Sequence, residues 1–204
     1  MNNDYNYYNS FSIFDSKVNL IDNYNKIKLV PFGEFVPLEN ILNKFGLKTI
    51  TNNIGSFDKG VNRKIIEIQD DLKQINFLPL ICYEIIYSGN LTKDFDFDFI
   101  LNISEDGWFG DSIGPKQHFS HSIFRAIETG KYIMRSSNNG MAAIINPLGQ
   151  VEKKLDYGVS GYIDFNEKRD FKTTMFSTYG NKIFFIMILL YIFLMFSFNR
   201  MKNE

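Results

Sequence analysis

The 204 residues carry 22 Lys and Arg against 23 Asp and Glu, and a formal charge of −1 gives no electrostatic basis for binding nucleic acid. That length is one domain's worth with at most a small appendage. The single cysteine excludes an internal disulfide and a cysteine zinc site; the two histidines, His118 and His121, sit beside no clustered thiols or carboxylates, so no metal or other cofactor is expected.

In chain order, the first five residues have neither a basic nor an apolar stretch and read as no signal peptide. Residues 8–18 place Phe11, Ile13 and Phe14 before a polar Asp15-Ser16-Lys17 turn, a strand and hairpin corner. Residues 26–37 form a loop, because Pro31, Gly33 and Pro37 forbid a continuous helix or central strand. Residues 65–68 and 75–81 read as strands flanking a turn at 70–73, and 99–103 as a buried strand entered through the alternating Phe95-Asp96-Phe97-Asp98.

Residues 115–135 read as one amphipathic helix, with Phe119, Ile123, Ile127 and Met134 at helical spacing and His118, Ser122, Arg125 and Thr129 as a second stripe. Residues 142–146 and 151–154 flank a Pro147-Leu148-Gly149 turn as a hairpin, and 158–164 offers one more strand before a polar linker. Strands mixed with a long helix mean an α/β layered domain. Residues 183–198 carry no charge, a run a little short of the ~17–25 that span a bilayer. Lys182 before it and Arg200 and Lys202 after it are placed to snorkel to headgroups. The organisation is therefore a domain over 1–170, a linker over 171–181, a membrane helix over 182–199 and a tail over 200–204.

Cys82 closes the apolar run Leu78-Pro79-Leu80-Ile81. A strand that ends in a small nucleophile and then a polar turn lifts a thiol to the rim of a sheet, where neighbours deprotonate it and backbone N–H groups cradle an oxyanion. The plain alternative is a buried, inert thiol.

Three segments decide between these readings: Leu29-Val30-Pro31-Phe32-Gly33-Glu34, Ile81-Cys82-Tyr83-Glu84, and Asp106-Gly107-Trp108-Phe109-Gly110-Asp111 with its sequel Gly114-Pro115-Lys116-Gln117-His118. Together they resemble the nitrilase (carbon–nitrogen hydrolase) superfamily, and within it the apolipoprotein N-acyltransferase family. The resemblance implies an α-β-β-α sandwich, supplied here in part, and a Glu-Lys-Cys triad. Its cysteine matches Cys82 and its lysine Lys26, with Glu34 as a supporting glutamate and Tyr83 and Glu84 following the nucleophile. Tyr83 N–H and the Lys26 ammonium are expected to hold the oxyanion, and Trp108 and Phe109 to form an aromatic wall for acyl chains. Lys26 as a solvated loop lysine, Glu84 as a helix cap, Trp108 and Phe109 as ordinary core, and His118 and Arg125 as structural residues are the plainer readings.

The resemblance further implies a phospholipid acyl donor, a diacylglyceryl-modified apolipoprotein acceptor, and a bacterial inner-membrane location with the domain on the periplasmic side. Lys168, Arg169, Lys172 and Lys182 before the helix, against Arg200 and Lys202 after it, point the other way on the positive-inside rule. The family's first catalytic glutamate and its preceding membrane helices have no counterpart in these residues. The expectation is a C-terminal portion of low activity that an N-terminal partner chain completes. A nitrilase-type amidase acting on a small carbon–nitrogen substrate and a non-catalytic membrane-anchored remnant are the alternatives.

Overall fold

The structure, a computed structural model, describes residues 6–38, 44, 57–70, 73–89, 91–165 and 172–202. Strands β1 (Ser10–Phe14) and β2 (Leu20–Asn25) pair antiparallel. The Asp15 carboxylate makes the corner between them by accepting from the N–H groups of Lys17 and Asn19, a side chain standing in for a backbone turn.

A second sheet runs in the order β3 (Ile66–Asp70), β4 (Lys73–Ile81), β5 (Phe99–Glu105), β6 (Tyr132–Asn138), β7 (Ala142–Ile145) and β8 (Val151–Leu155). β4, β5 and β6 are mutually parallel, and the outer strands join antiparallel. The parallel centre is buried on both faces, which is why β4 and β5 read as near-continuous apolar runs. Two residues of the turn expected at 70–73 lie outside the described residues.

Parallel strands need a crossover, and α1 (Gly114–Thr129) supplies it between β5 and β6. The expected helix to residue 135 is corrected here. Gly130 takes a left-handed φ of 68° and its N–H caps the Ala126 carbonyl at 2.9 Å, so the helix stops and the chain turns into β6. Met134, counted in the helical stripe, instead sits on β6 in register with Leu101. His118, Ser122, Arg125 and Thr129 point inward with Phe119 and Ala126, while Ile127 is half-exposed.

Residues 158–164 form no strand. Gly158 turns the chain at φ 73°, and the segment crosses the sheet as irregular chain, ending with the Phe165 ring 5.0 Å from Tyr132. Two cores result. Leu78, Leu80, Ile85, Ile100, Ala126, Ile133 and Ile145 pack between the large sheet and α1. Tyr24, Ile66, Phe77 and Ile81 pack between the two sheets, where the Phe77 ring stacks on Phe99 at 5.5 Å. The layers are helix, sheet, sheet: a nitrilase-like α/β fold.

A short helix α2 (Met175–Tyr179) is capped by Thr174, which also donates to the Glu128 carbonyl and ties this segment to α1. Then comes α3 (Lys182–Lys202). Its window Lys182–Asn199 has a mean hydropathy of 2.1 and buries nothing against the rest of the chain, so it is long and apolar enough to cross a membrane.

Candidate active site

β4 ends at Ile81, and Cys82 opens a single 3-10 turn, Cys82–Ile86, with a φ of 50°. A left-handed φ on a residue with a Cβ is strained by about 1–2 kcal/mol and persists only where the surroundings hold it. They do so from two sides.

On the side of the two-stranded sheet, Glu84 is completely buried and accepts from five groups. The Tyr24 hydroxyl donates to both its oxygens at 2.8 and 3.0 Å, Ile27 and Lys28 N–H reach Oε1 at 3.0 and 3.2 Å, Arg63 Nη2 reaches Oε1 at 3.2 Å, and Ile81 N–H reaches Oε2 at 2.9 Å. One side chain thereby staples the turn to the loop that follows β2. Burial, and then the Glu84 charge, push the Tyr24 hydroxyl far above its ordinary pKa, so it stays a donor.

That loop carries Lys26, whose side chain is 1% exposed and whose Nζ lies 2.8 Å from Glu34 Oε1. Glu34 is fixed in turn by Asn9 Nδ2 at 2.7 Å and by Val30 N–H at 2.8 Å. Buried and paired, the lysine is no solvated loop residue. Glu34 then faces a cavity of about 240 Å³, lined also by Val30, Gly33, Cys82, Tyr83, Glu105, Trp108 and Phe109. Trp108 is 73% exposed, which places it at the mouth of the cavity and not in a core.

Behind the cysteine, on the α1 side, lies a second buried polar group of side chains. His118 Nδ1 is 2.8 Å from Asp106 Oδ1, and its Nε2 faces the Cys82 carbonyl oxygen at 3.3 Å. Arg135 Nη2 donates to Asp106 Oδ2 at 2.6 Å, Arg135 Nη1 donates to Asn102 Oδ1, and Asn102 Nδ2 donates to the Leu80 carbonyl at 3.1 Å. Burial raises the Asp106 carboxyl pKa, but the His118 hydrogen bond and the Arg135 charge outweigh it and the net shift is downward. Among the described residues no group of three or more His, Cys, Asp or Glu side chains gathers that would hold a metal ion.

Residues 2–165 match the profile of the family described as carbon–nitrogen hydrolase. The chain belongs to that family. Among curated proteins, this carbon–nitrogen hydrolase domain and its C-terminal extension are similar to apolipoprotein N-acyltransferases. The protein of that name from Wigglesworthia glossinidia brevipalpis is 44% identical over 170 residues, covering 78% of this chain and 32% of that protein. The one from Agrobacterium fabrum (strain C58 / ATCC 33970) is 38% identical over 202 residues, covering 97% of this chain and 38% of that protein. The chain thus spans about a third of the length of the curated relatives it matches. A solved structure of Saccharomyces cerevisiae Nit3, a member of branch 10 of the nitrilase superfamily, matches 75% of this chain and 51% of that one. Its TM-score is 0.53 at 17% identity, a likeness that shows a common fold.

Of the residues expected at the site, the carbon–nitrogen hydrolase fold gathers Cys82, Glu34, Tyr83, Trp108 and Phe109 on one cavity, with Lys26 joined to it through Glu34. Glu84 stands apart: it is buried beneath the turn, and its bond from Ile81 N–H is the capping contact weighed as the plainer reading. Arg125 pairs with Glu128 at 2.6 Å, in keeping with the structural reading of Arg125. Sequence reasoning missed Asn9, Tyr24, Arg63, Glu105, Asn102, Asp106 and Arg135. A polar residue inside an apolar strand, Asn102 in Phe99–Glu105 or Arg135 in Tyr132–Asn138, was the available signal.

Proposed function

We propose that this chain is the catalytic C-terminal part of an apolipoprotein N-acyltransferase whose acyl carrier is Cys82. The observation that carries the reading is the strained thiol-bearing turn opening on an aromatic-mouthed cavity, with the buried Lys26–Glu34 pair at its edge. The Cys82 thiolate adds to the ester carbonyl of a phospholipid acyl chain, and the tetrahedral oxyanion forms against the Lys26 ammonium and the Tyr83 N–H. The carbon–oxygen bond breaks, lysophospholipid leaves with a proton, and a thioester remains on Cys82. The N-terminal α-amine of a diacylglyceryl-cysteine lipoprotein then attacks the thioester, an amide forms, and the thiol is regenerated. Glu34 keeps Lys26 oriented, and Trp108 and Phe109 give the acyl chain an apolar entry.

Similarity to relatives about three times as long supports a further, N-terminal portion, on the same chain or a partner chain, that contributes the glutamate base and further membrane helices. The α3 helix anchors the domain at the bilayer, on its periplasmic side, where donor and acceptor both reside. An alkyne-tagged phosphatidylethanolamine and a diacylated lipopeptide test this. The protein, completed by its N-terminal portion, should carry a hydroxylamine-labile tag on Cys82 and pass it to the peptide amine, and Cys82→Ala should abolish both signals. Hydrolysis of small amides with no tag on Cys82 would overturn the reading in favour of an amidase.

A further inference from the structure

We infer that His118 is a positioning residue for acyl transfer: by holding the Cys82 carbonyl from the α1 side, it aims the Tyr83 N–H into the cavity. The inference rests on the acyl-thioester reading above and deepens it.

The Cys82 carbonyl and the Tyr83 N–H belong to one peptide unit, and no cis peptide occurs among the described residues. In a planar trans peptide the C=O and the N–H point in opposite directions, so whatever fixes one fixes the other. His118 Nε2 lies 3.3 Å from that carbonyl oxygen, and His118 is not among the residues lining the cavity that Cys82 and Tyr83 line. The same helix grips the other end of the turn. Arg125, seven residues on and so on the same face, donates from Nη1 to the Ile86 carbonyl at 3.2 Å. α1 therefore splints both ends of Cys82–Ile86.

A splint is needed because Cys82 has a left-handed φ, and a strained residue relaxes by rotating the peptides on either side of it. His118 holds the carbonyl of Cys82 in the peptide that follows the strained residue, and Glu84 holds the N–H of Ile81, one peptide before the one that precedes it. The ring itself is not free to turn away. Its Nδ1 is bonded to Asp106, which Arg135 clamps, and Arg135 is bonded to Asn102.

The test compares two reactions of the same thiol, followed by intact-protein mass. Acylation by p-nitrophenyl butanoate passes through an oxyanion; alkylation by iodoacetamide does not. Both depend alike on the thiolate fraction, so their ratio isolates oxyanion stabilisation. The wild-type ratio should exceed that of N-acetylcysteine. His118→Leu, which fills the space without donating, should lower it by about tenfold or more. His118→Gln, whose amide nitrogen overlies Nε2, should restore it to within about threefold of wild type.

A wild-type ratio equal to that of N-acetylcysteine would sink the acyl-thioester reading and the positioning role with it. A raised wild-type ratio that His118→Leu leaves unchanged would overturn the positioning role alone. So would a folded His118→Gln protein behaving like His118→Leu, or loss of the folded state in both variants, which would assign His118 to stability.

Discussion

The Tyr24 hydroxyl bonds both oxygens of Glu84 across a sequence separation of 60 residues, locking the end of β2 to the turn that presents the cysteine. Everything around Glu84 donates. Glu84→Ala leaves the Arg63 charge and four other donors without their acceptor in a buried setting, and should destabilise the fold by about 3–5 kcal/mol. Glu84→Gln should also be destabilising, because one of its amide hydrogens meets a donor. Denaturant midpoints at unchanged slope check both.

The Lys26–Glu34 pair should behave as a unit. Glu34→Ala strands a buried ammonium and is expected to lose about 3–5 kcal/mol. Adding Lys26→Met to Glu34→Ala removes the stranded charge and should recover part of that stability while leaving Cys82 acylation impaired. A double-mutant cycle with zero coupling energy would contradict the pairing.

Gly140 approaches the Asp106 carboxylate so closely that a Cβ there would lie 2.1 Å from Oδ2 and 2.3 Å from Ser137 Oγ. The Asp106 carboxylate has no room to yield, since it is held by Arg135 and His118. Gly140→Ala should therefore destabilise by about 1–3 kcal/mol. It should also lower the ratio of acylation to alkylation, as His118→Leu does, whereas Gly158→Ala, far from that network, should not.

Asp106 makes stability acid-sensitive with a definite sign. Burial opposes its ionisation, but His118 and Arg135 together hold the folded carboxyl below the ordinary 3.8. A carboxyl depressed on folding contributes stability that is fully present above its unfolded pKa and is lost as pH falls through the folded value. Stability should therefore decline from about pH 4 downward, and Asp106→Asn should flatten that part of the profile. Denaturation midpoints measured between pH 6 and the acid limit read the slope.

The α3 segment is expected to partition as a bilayer span. Leu190→Arg places a charge at its middle, where insertion becomes less favourable by about 2.5–3.5 kcal/mol. The variant should move from the alkali-resistant membrane fraction towards the extractable one, while Asn199→Arg at the end of the span should stay membrane-bound.

Much of the layered fold was legible locally. The strands at Phe99–Glu105 and Lys73–Ile81 announce themselves as apolar runs, and the loop after β2 by its prolines. Residues 132–138 were not legible, because Met134 continues the helical spacing of α1, and only pairing with β5 and β7 makes the segment a strand. Gly130 was the local hint, a residue suited to the left-handed cap that ends a helix. Which stripe of α1 faces inward was not legible for a related reason: the partners that let His118 and Arg125 be buried come from other elements.

The sequence by itself determined the apolar strand ending in Cys82, the proline-broken loop bearing Lys26 and Glu34, the family to which their motifs point, and the uncharged C-terminal helix. Those features depend on composition and short-range period. Only the tertiary structure decided that Glu84 lies beneath the turn, and that Asp106, His118, Arg135 and Asn102 close into one buried chain of bonds. A buried charge is tolerable only when its partners arrive with it, and here they come from β5, α1, β6 and the turn between β5 and α1.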